Sequence, residues 1–182
     1  RYPAEWIDRW TMHDGSVATV RPILPQDAPL EAALGRLRYG ALYGLSALGG
    51  SVLVYLLSDL GAATAGASGA VFGLFGATFV IGKRLNLDVR WVIGLIVLNL
   101  AFTFVIPLVS SQNISWQGHI GGLVTGACVA AAYAYAPRTN RAVVQWGASA
   151  AVLVVFVLLI WWRTEDLRAI FGLQLFKHLH VR

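Results

Sequence analysis

Charge is scarce in this chain. Charged residues make up 13% of its 182 residues and hydrophobic ones 57%, a balance that fits an integral membrane protein rather than a water-soluble domain. Between Tyr39 and Arg163 the only ionised side chains are Asp59, Lys83, Arg84, Asp88, Arg90, Arg138 and Arg141, and all lie between apolar runs. Cysteine is nearly missing: Cys128 stands alone, which excludes an intrachain disulfide. No cleavable signal peptide is visible at the start, and no inverted repeat of the kind that builds transporters runs through the chain. The sequence opens on Arg1 rather than Met, as a fragment of a longer protein would. No cofactor and no metal site are expected.

What is abundant is apolar length. The runs 39–57, 66–82, 91–109, 114–136 and 143–162 each approach the roughly 20 residues that a helix needs to cross the hydrocarbon. An all-α polytopic membrane protein of about five transmembrane helices is therefore expected, with the lipid bilayer as its solvent. The net charge of +5 is not a nucleic-acid signal. Arg36, Arg38, Lys83, Arg84, Arg90, Arg138 and Arg141 fall at alternate ends of successive runs, while the short connections 58–65 and 110–113 carry no cation. That asymmetry places the start of the first run and the second–third and fourth–fifth connections in the cytoplasm. The expected location is a multi-pass position in a bacterial plasma membrane. Arg163, Arg168, Lys177 and Arg182 break the pattern and leave the fifth run the least regular. Trp91, Trp116, Trp146, Trp161 and Trp162 sit near run ends, where indole favours the headgroup region.

Residues 1–30 differ in character, with Pro3, Pro22, Pro25 and Pro29 among several acids. Asp14-Gly15 is a tight-turn signal between β-prone stretches around Met12 and Val17–Val20, so a small β-hairpin is expected. A piece this short buries too little surface to be an independent domain. The run DGSVATVRPILPQDA, residues 14–28, is similar to the opening strand of GNAT-type acetyltransferases; nothing downstream resembles their acetyl-CoA loop, and no such activity is inferred. Residues 31–163 are expected to form the membrane domain. The tail 164–182 places Leu167, Ile170, Phe171, Leu175 and Leu179 near helical spacing, which suits an amphipathic helix lying on the surface and equally a solvated end.

Glycine weakens helices by about 1 kcal/mol per residue, yet Gly66, Gly69, Gly73 and Gly76 recur at spacings of three and four in the second run. The fourth run has a matching stripe of Ser115, His119, Gly122, Gly126 and Ala130. Small residues on one stripe let a neighbouring helix approach closely in lipid. The second and fourth runs are separated by one span and so point the same way. Ser68 and His119 then lie at similar depth near the outer boundary, as a nucleophile and its general base require. A transmembrane serine ordinarily bonds to its own backbone, whereas an intramembrane histidine is functional by default. The glycine stripes alone would also fit a transporter fragment or any tight bundle.

The segment GASGAVFG at 66–73, followed by WQGHIGGLVTG at 116–126, resembles the paired active-site motifs of the rhomboid intramembrane serine proteases. Residues 35–51, GRLRYGALYGLSALGGS, resemble that family's preceding span, and the likeness extends from about residue 31 to 140. The resemblance implies a rhomboid-like helical bundle in which Ser68 is the nucleophile of a serine endopeptidase. His119 would be its base, with no third acid, and Phe72 the aromatic that packs on the imidazole. Gly66, Gly69, Gly122 and Gly126 would shape the oxyanion site and the close packing, and the Ser68 backbone N–H would help to hold the oxyanion. Its substrates would be transmembrane proteins. The family's earlier spans, with a His-x-x-x-Asn motif that supplies oxyanion donors, have no counterpart here. Losing one such donor typically costs about 10²–10³ in kcat, so the chain is expected to be weakly active or inactive alone unless partner helices replace those spans. The alternative is a rhomboid-like pseudoprotease that binds transmembrane helices without cutting them.

Overall fold

In the computed structural model the described residues are 8–11, 17–20, 30–58, 67–109 and 115–180. Two short strands come first, β1 (Asp8–Thr11) and β2 (Val17–Val20), paired antiparallel with Asp8 opposite Val20 and Thr11 opposite Val17. The Asp14-Gly15 turn lies outside the described residues.

The described elements that follow are helical: α1 (Leu30–Leu34), α2 (Arg36–Leu57), α3 (Ser68–Arg84), α4 (Arg90–Val109), α5 (Trp116–Tyr135), a 3₁₀ turn at Arg138–Asn140, and α6 (Arg141–His180). Gly35 breaks α1 from α2 with φ of 79°, a left-handed conformation that glycine adopts without steric cost. Its N–H closes α1 on the Glu31 carbonyl at 2.7 Å, and its own carbonyl accepts from Tyr39 at 3.0 Å. Asp88 starts α4 by accepting from the Arg90 N–H at 2.9 Å.

Glycine dictates how α2, α3 and α5 pack. A methyl added at Gly122 would strike the Gly69 backbone, and one at Gly126 the Gly73 backbone. The two contacts keep one register, so α3 and α5 run parallel with their main chains touching. Gly50 faces Gly69 and the Gly118 carbonyl, while Ser46 faces Gly73, so α2 runs antiparallel to both. Side chains at these points would hold the three axes apart; their absence replaces hydrophobic drive with close van der Waals contact. Below the glycines, toward the cation-rich end, Leu42, Leu45, Ala77, Val129, Ala130 and Tyr133 form the apolar core. Ser46 is fully buried there and donates to the Leu42 carbonyl at 2.7 Å.

Helix α6 packs parallel to α2. The ring of Phe156 reaches Gly49, and Tyr55 and Thr164 hydroxyls lie 2.9 Å apart. At the other end Gln145, buried, donates to the Tyr133 carbonyl at 2.9 Å, one of the α5 C-terminal carbonyls that the helix itself leaves unpaired. Tyr133 and Ser149 hydroxyls complete that junction at 2.7 Å.

The expected boundary between a fifth span ending near 162 and a separate tail does not appear, because α6 runs unbroken to His180. Between Gly147 and Gly172 the sequence has neither glycine nor proline. The charges that suggested an end are paired one turn apart along the helix, Arg163 with Asp166 and Arg168 with Glu165, each at 2.8 Å. Among the described residues two helices are long and apolar enough to cross a membrane, Arg36–Leu57 and Arg138–Ile170, and a shorter apolar one covers Arg90–Ile106. Helix α3 has only 17 residues, and α5 is diluted by Gln117, His119 and its glycines.

Candidate active site

Ser68 is the first residue of α3 and is exposed. Ala67 precedes it as N-cap and offers no side-chain bond to the helix. The first N–H groups of α3 therefore lack intrahelical acceptors and stand at the positive end of the helix dipole. Gly66 lies outside the described residues.

His119 lies one turn into α5. Ser115 fixes that turn: its Oγ accepts from the Gly118 N–H at 3.2 Å, and its hydroxyl donates to Gln117 Oε1 at 3.1 Å. The Gly69–Gly122 contact sets the separation of the two helices one turn further along. Phe72, one turn after Ser68, then lies flat against the imidazole, with ring centroids 4.1 Å apart and planes inclined by 11°. Phe75 braces Phe72 edge-on at 5.7 Å and 70°. Phe72 is 3% exposed and His119 6%, so the stack is shielded while Ser68 is open.

At the edge of the ring, His119 Nδ1 is 2.8 Å from Thr103 Oγ1 of α4. Thr103 is itself buried, and its hydroxyl also lies 2.8 Å from the Asn99 carbonyl. Among the described residues no hydrogen bond joins Ser68 to His119, and none reaches Nε2. The structure thus places Ser68 and Gly69 at the start of α3 and His119 in the first turns of α5, with the Phe72 stack and the Gly69–Gly122 contact joining the two helices there and Gly126 against Gly73 a turn further along. No group of three His, Cys, Asp or Glu side chains suited to a metal converges among the described residues.

Sequence reasoning missed Thr103 and the second glycine face. Gly118, Gly121 and Thr125 form a stripe beside that of His119, and this stripe takes Gly49 and Gly50 of α2. Their spacing of three and four was a usable signal. Thr103 gave none, since a threonine in an apolar helix usually bonds only to its own backbone.

Taken together, fold and site define a glycine-packed helical bundle with a hydroxyl and a buried imidazole at one end. The family model for the Rhomboid domain matches residues 22–136, more than half of the chain. RHOMBOID-like protein 5 of Arabidopsis thaliana is 37% identical over 105 residues, covering 53% of this chain and 32% of that protein. YdcA of Bacillus subtilis is 35% identical over 98 residues, covering 53% and 49%. Rhomboid protease GluP of the same bacterium is 33% identical over 108 residues, covering 57% and 20%. The chain spans between a fifth and about half the length of these relatives, which come from a plant and a bacterium alike. No solved structure matches it. The chain belongs to the rhomboid family, a family of intramembrane proteins.

Proposed function

We infer that the chain carries the catalytic dyad of an intramembrane serine endopeptidase, with Ser68 as nucleophile and His119 as general base. The observation that carries this reading is the imidazole fixed on its face by Phe72 and at its Nδ1 edge by Thr103, with Phe72 one turn after the exposed Ser68 on α3. A base must be oriented before it can accept a proton in the right direction, and a hydroxyl must be accessible to a carbonyl. A small closure that brings Nε2 to Ser68 Oγ completes the pair; such bonds are often long before substrate binds.

In the reaction, Ser68 Oγ attacks the scissile carbonyl as its proton passes to His119. The tetrahedral oxyanion faces the Ser68 N–H, at a helix terminus suited to negative charge. The protonated imidazole then gives its proton to the leaving amine, and the C–N bond breaks. Water, deprotonated by the same imidazole, then attacks the acyl-serine; the imidazolium returns that proton to Ser68 Oγ as the Oγ–acyl bond breaks and the acid leaves. The substrates are transmembrane segments, entering a multi-pass bundle whose outer faces on α4 and α6 are apolar. Val97, Phe104, Val157 and Trp161 are all more than half exposed there, an arrangement suited to lipid contact.

The unbonded state of Ser68 and His119 favours a second reading, in which the bundle holds transmembrane helices without cutting them. Labelling the full chain in membranes with a serine-reactive fluorophosphonate separates the two. Wild type is expected to label, and Ser68→Ala and His119→Ala are not. Equal labelling of all three, or none of wild type, overturns the protease reading. Co-purification of an uncleaved client with both wild type and Ser68→Ala then supports the second.

A further inference from the structure

We propose that Thr103 is a positioning residue that holds His119 in the tautomer a general base requires; the proposal deepens the dyad reading and rests on it for its catalytic consequence. A threonine hydroxyl has one proton to give and two lone pairs with which to accept. Thr103 Oγ1 has two neighbours at hydrogen-bond distance, the Asn99 carbonyl at 2.8 Å and His119 Nδ1 at 2.8 Å. A carbonyl oxygen can only accept, so the contact with Asn99 uses the hydroxyl proton. Oγ1 must then accept from the ring, which places a proton on Nδ1 and leaves Nε2 with its lone pair free to take the proton of Ser68.

The alternative wiring is chemically complete and makes the opposite prediction. If the Thr103 hydroxyl turns to donate to Nδ1, the neutral ring carries its proton on Nε2 and cannot act as a base toward Ser68. The surroundings favour the first arrangement. Thr103 is 3% exposed and His119 6%, so bulk water does not replace a bond given up there. Both arrangements match Nδ1 and the hydroxyl, but only the first makes both 2.8 Å contacts hydrogen bonds; the second leaves Oγ1 and the Asn99 carbonyl oxygen facing each other at 2.8 Å with no proton between them. Thr103 also comes from α4, while the serine and histidine come from α3 and α5. The active site thus draws on a third helix that no motif marks.

The test reads the ring directly. The full chain, labelled with ¹⁵N-histidine and reconstituted in lipid, is examined by solid-state NMR, and the His119 signals are assigned by their loss in His119→Asn. Wild type is expected to show a protonated Nδ1 and an unprotonated Nε2 at neutral pH. A neutral wild-type ring protonated on Nε2 overturns the proposal. Thr103→Val, which keeps the shape and removes the acceptor, is expected to mix the tautomers, and Thr103→Ser to restore the wild-type spectrum. A Thr103→Val spectrum identical to wild type also overturns it. In fluorophosphonate labelling the valine variant should slow about 10- to 100-fold, part of the 10²–10⁴ that a positioned base contributes, with Thr103→Ser within a few-fold of wild type. Equal loss in both variants would mark Thr103 as packing only and sink the proposal. If Thr103→Val fails to fold, the wild-type tautomer and the serine variant still decide. Absence of labelling in wild type would overturn the dyad reading, and the spectrum would continue to test Thr103 by itself.

Discussion

Phe72 and His119 show what a single contact contributes. Stacked at 4.1 Å and nearly parallel, the rings make a contact worth about 0.5–1.5 kcal/mol beyond the area they bury. Phe72→Leu keeps most of the volume and removes the flat face. It is expected to slow fluorophosphonate labelling by no more than about tenfold, since 1.4 kcal/mol is a factor of ten, and to lower the unfolding temperature in detergent only slightly. Phe72→Ala opens a cavity as well, at a cost of about 3–5 kcal/mol, and should be visibly unstable in the same assay. A leucine variant that labels as fast as wild type would show that Thr103 alone orients the ring. Residues of this site differ in how far they can be read from the sequence. His119 stands out because an imidazole in a bilayer segment is costly without use, and Ser68 because the glycine stripes set it on a co-directional helix at similar depth. Thr103 does not, because its bond to the Asn99 carbonyl satisfies it locally and hides the second bond that crosses to α5.

At the scale of helices, α3 and α5 meet backbone to backbone at Gly69–Gly122 and Gly73–Gly126, and that makes the tolerance of each glycine predictable. Gly122→Ala drives a methyl into the Gly69 backbone, which cannot turn aside as a flexible side chain would. The expected loss is at or beyond the upper end of the roughly 1–3 kcal/mol typical of overpacking, measured by thermal unfolding in detergent, and fluorophosphonate labelling should fall with it. Gly147→Ala is the control. It lies in α6, is exposed, and has nothing within 4 Å of the new methyl, so it should gain up to about 1 kcal/mol from helix propensity. Equal effects at the two positions would mean that the close approach of α3 and α5 is not what holds the bundle. The pattern of three and four makes Gly69, Gly73, Gly122 and Gly126 legible as one face. The second face of α5, at Gly118, Gly121 and Thr125, was legible by the same spacing, but nothing in the sequence says that α2 is the helix that fills it. The end of α6 was illegible for a different reason: Arg163 reads as the edge of an apolar run, and only the structure shows it pairing with Asp166 so that the helix continues.

The whole molecule has a polarity that follows from these directions. Since α2 runs against α3 and α5, and α6 runs with α2, the start of α2, the end of α3, the end of α5 and the start of α6 share one end of the bundle. Arg36, Arg38, Lys83, Arg84, Arg138 and Arg141 are all there, with Arg84 seated 4.6 Å over the Tyr135 ring. The site around Ser68 and His119 is at the other end. The positive-inside rule then predicts a cytoplasmic basic end and an active site near the opposite surface. Helix α6 allows the orientation to be measured without assuming catalysis. From Arg141 to Glu165 a helix rising 1.5 Å per residue covers about 36 Å, more than the roughly 30 Å of hydrocarbon, so both ends must emerge. In a Cys128→Ala background, Arg138→Cys should react with a membrane-impermeant maleimide only from the cytoplasmic side, and Glu165→Cys only from the opposite side. The ion pairs of Arg163 and Arg168 with their neighbouring acids do not remove cations from that far end, so the experiment weighs them directly against the basic end. Reaction of both cysteines from one side would mean that α6 does not span. Reaction from the two sides in reversed order would put Ser68 and His119 toward the cytoplasm, and cleavage would then have to be sought in segments entering from that face.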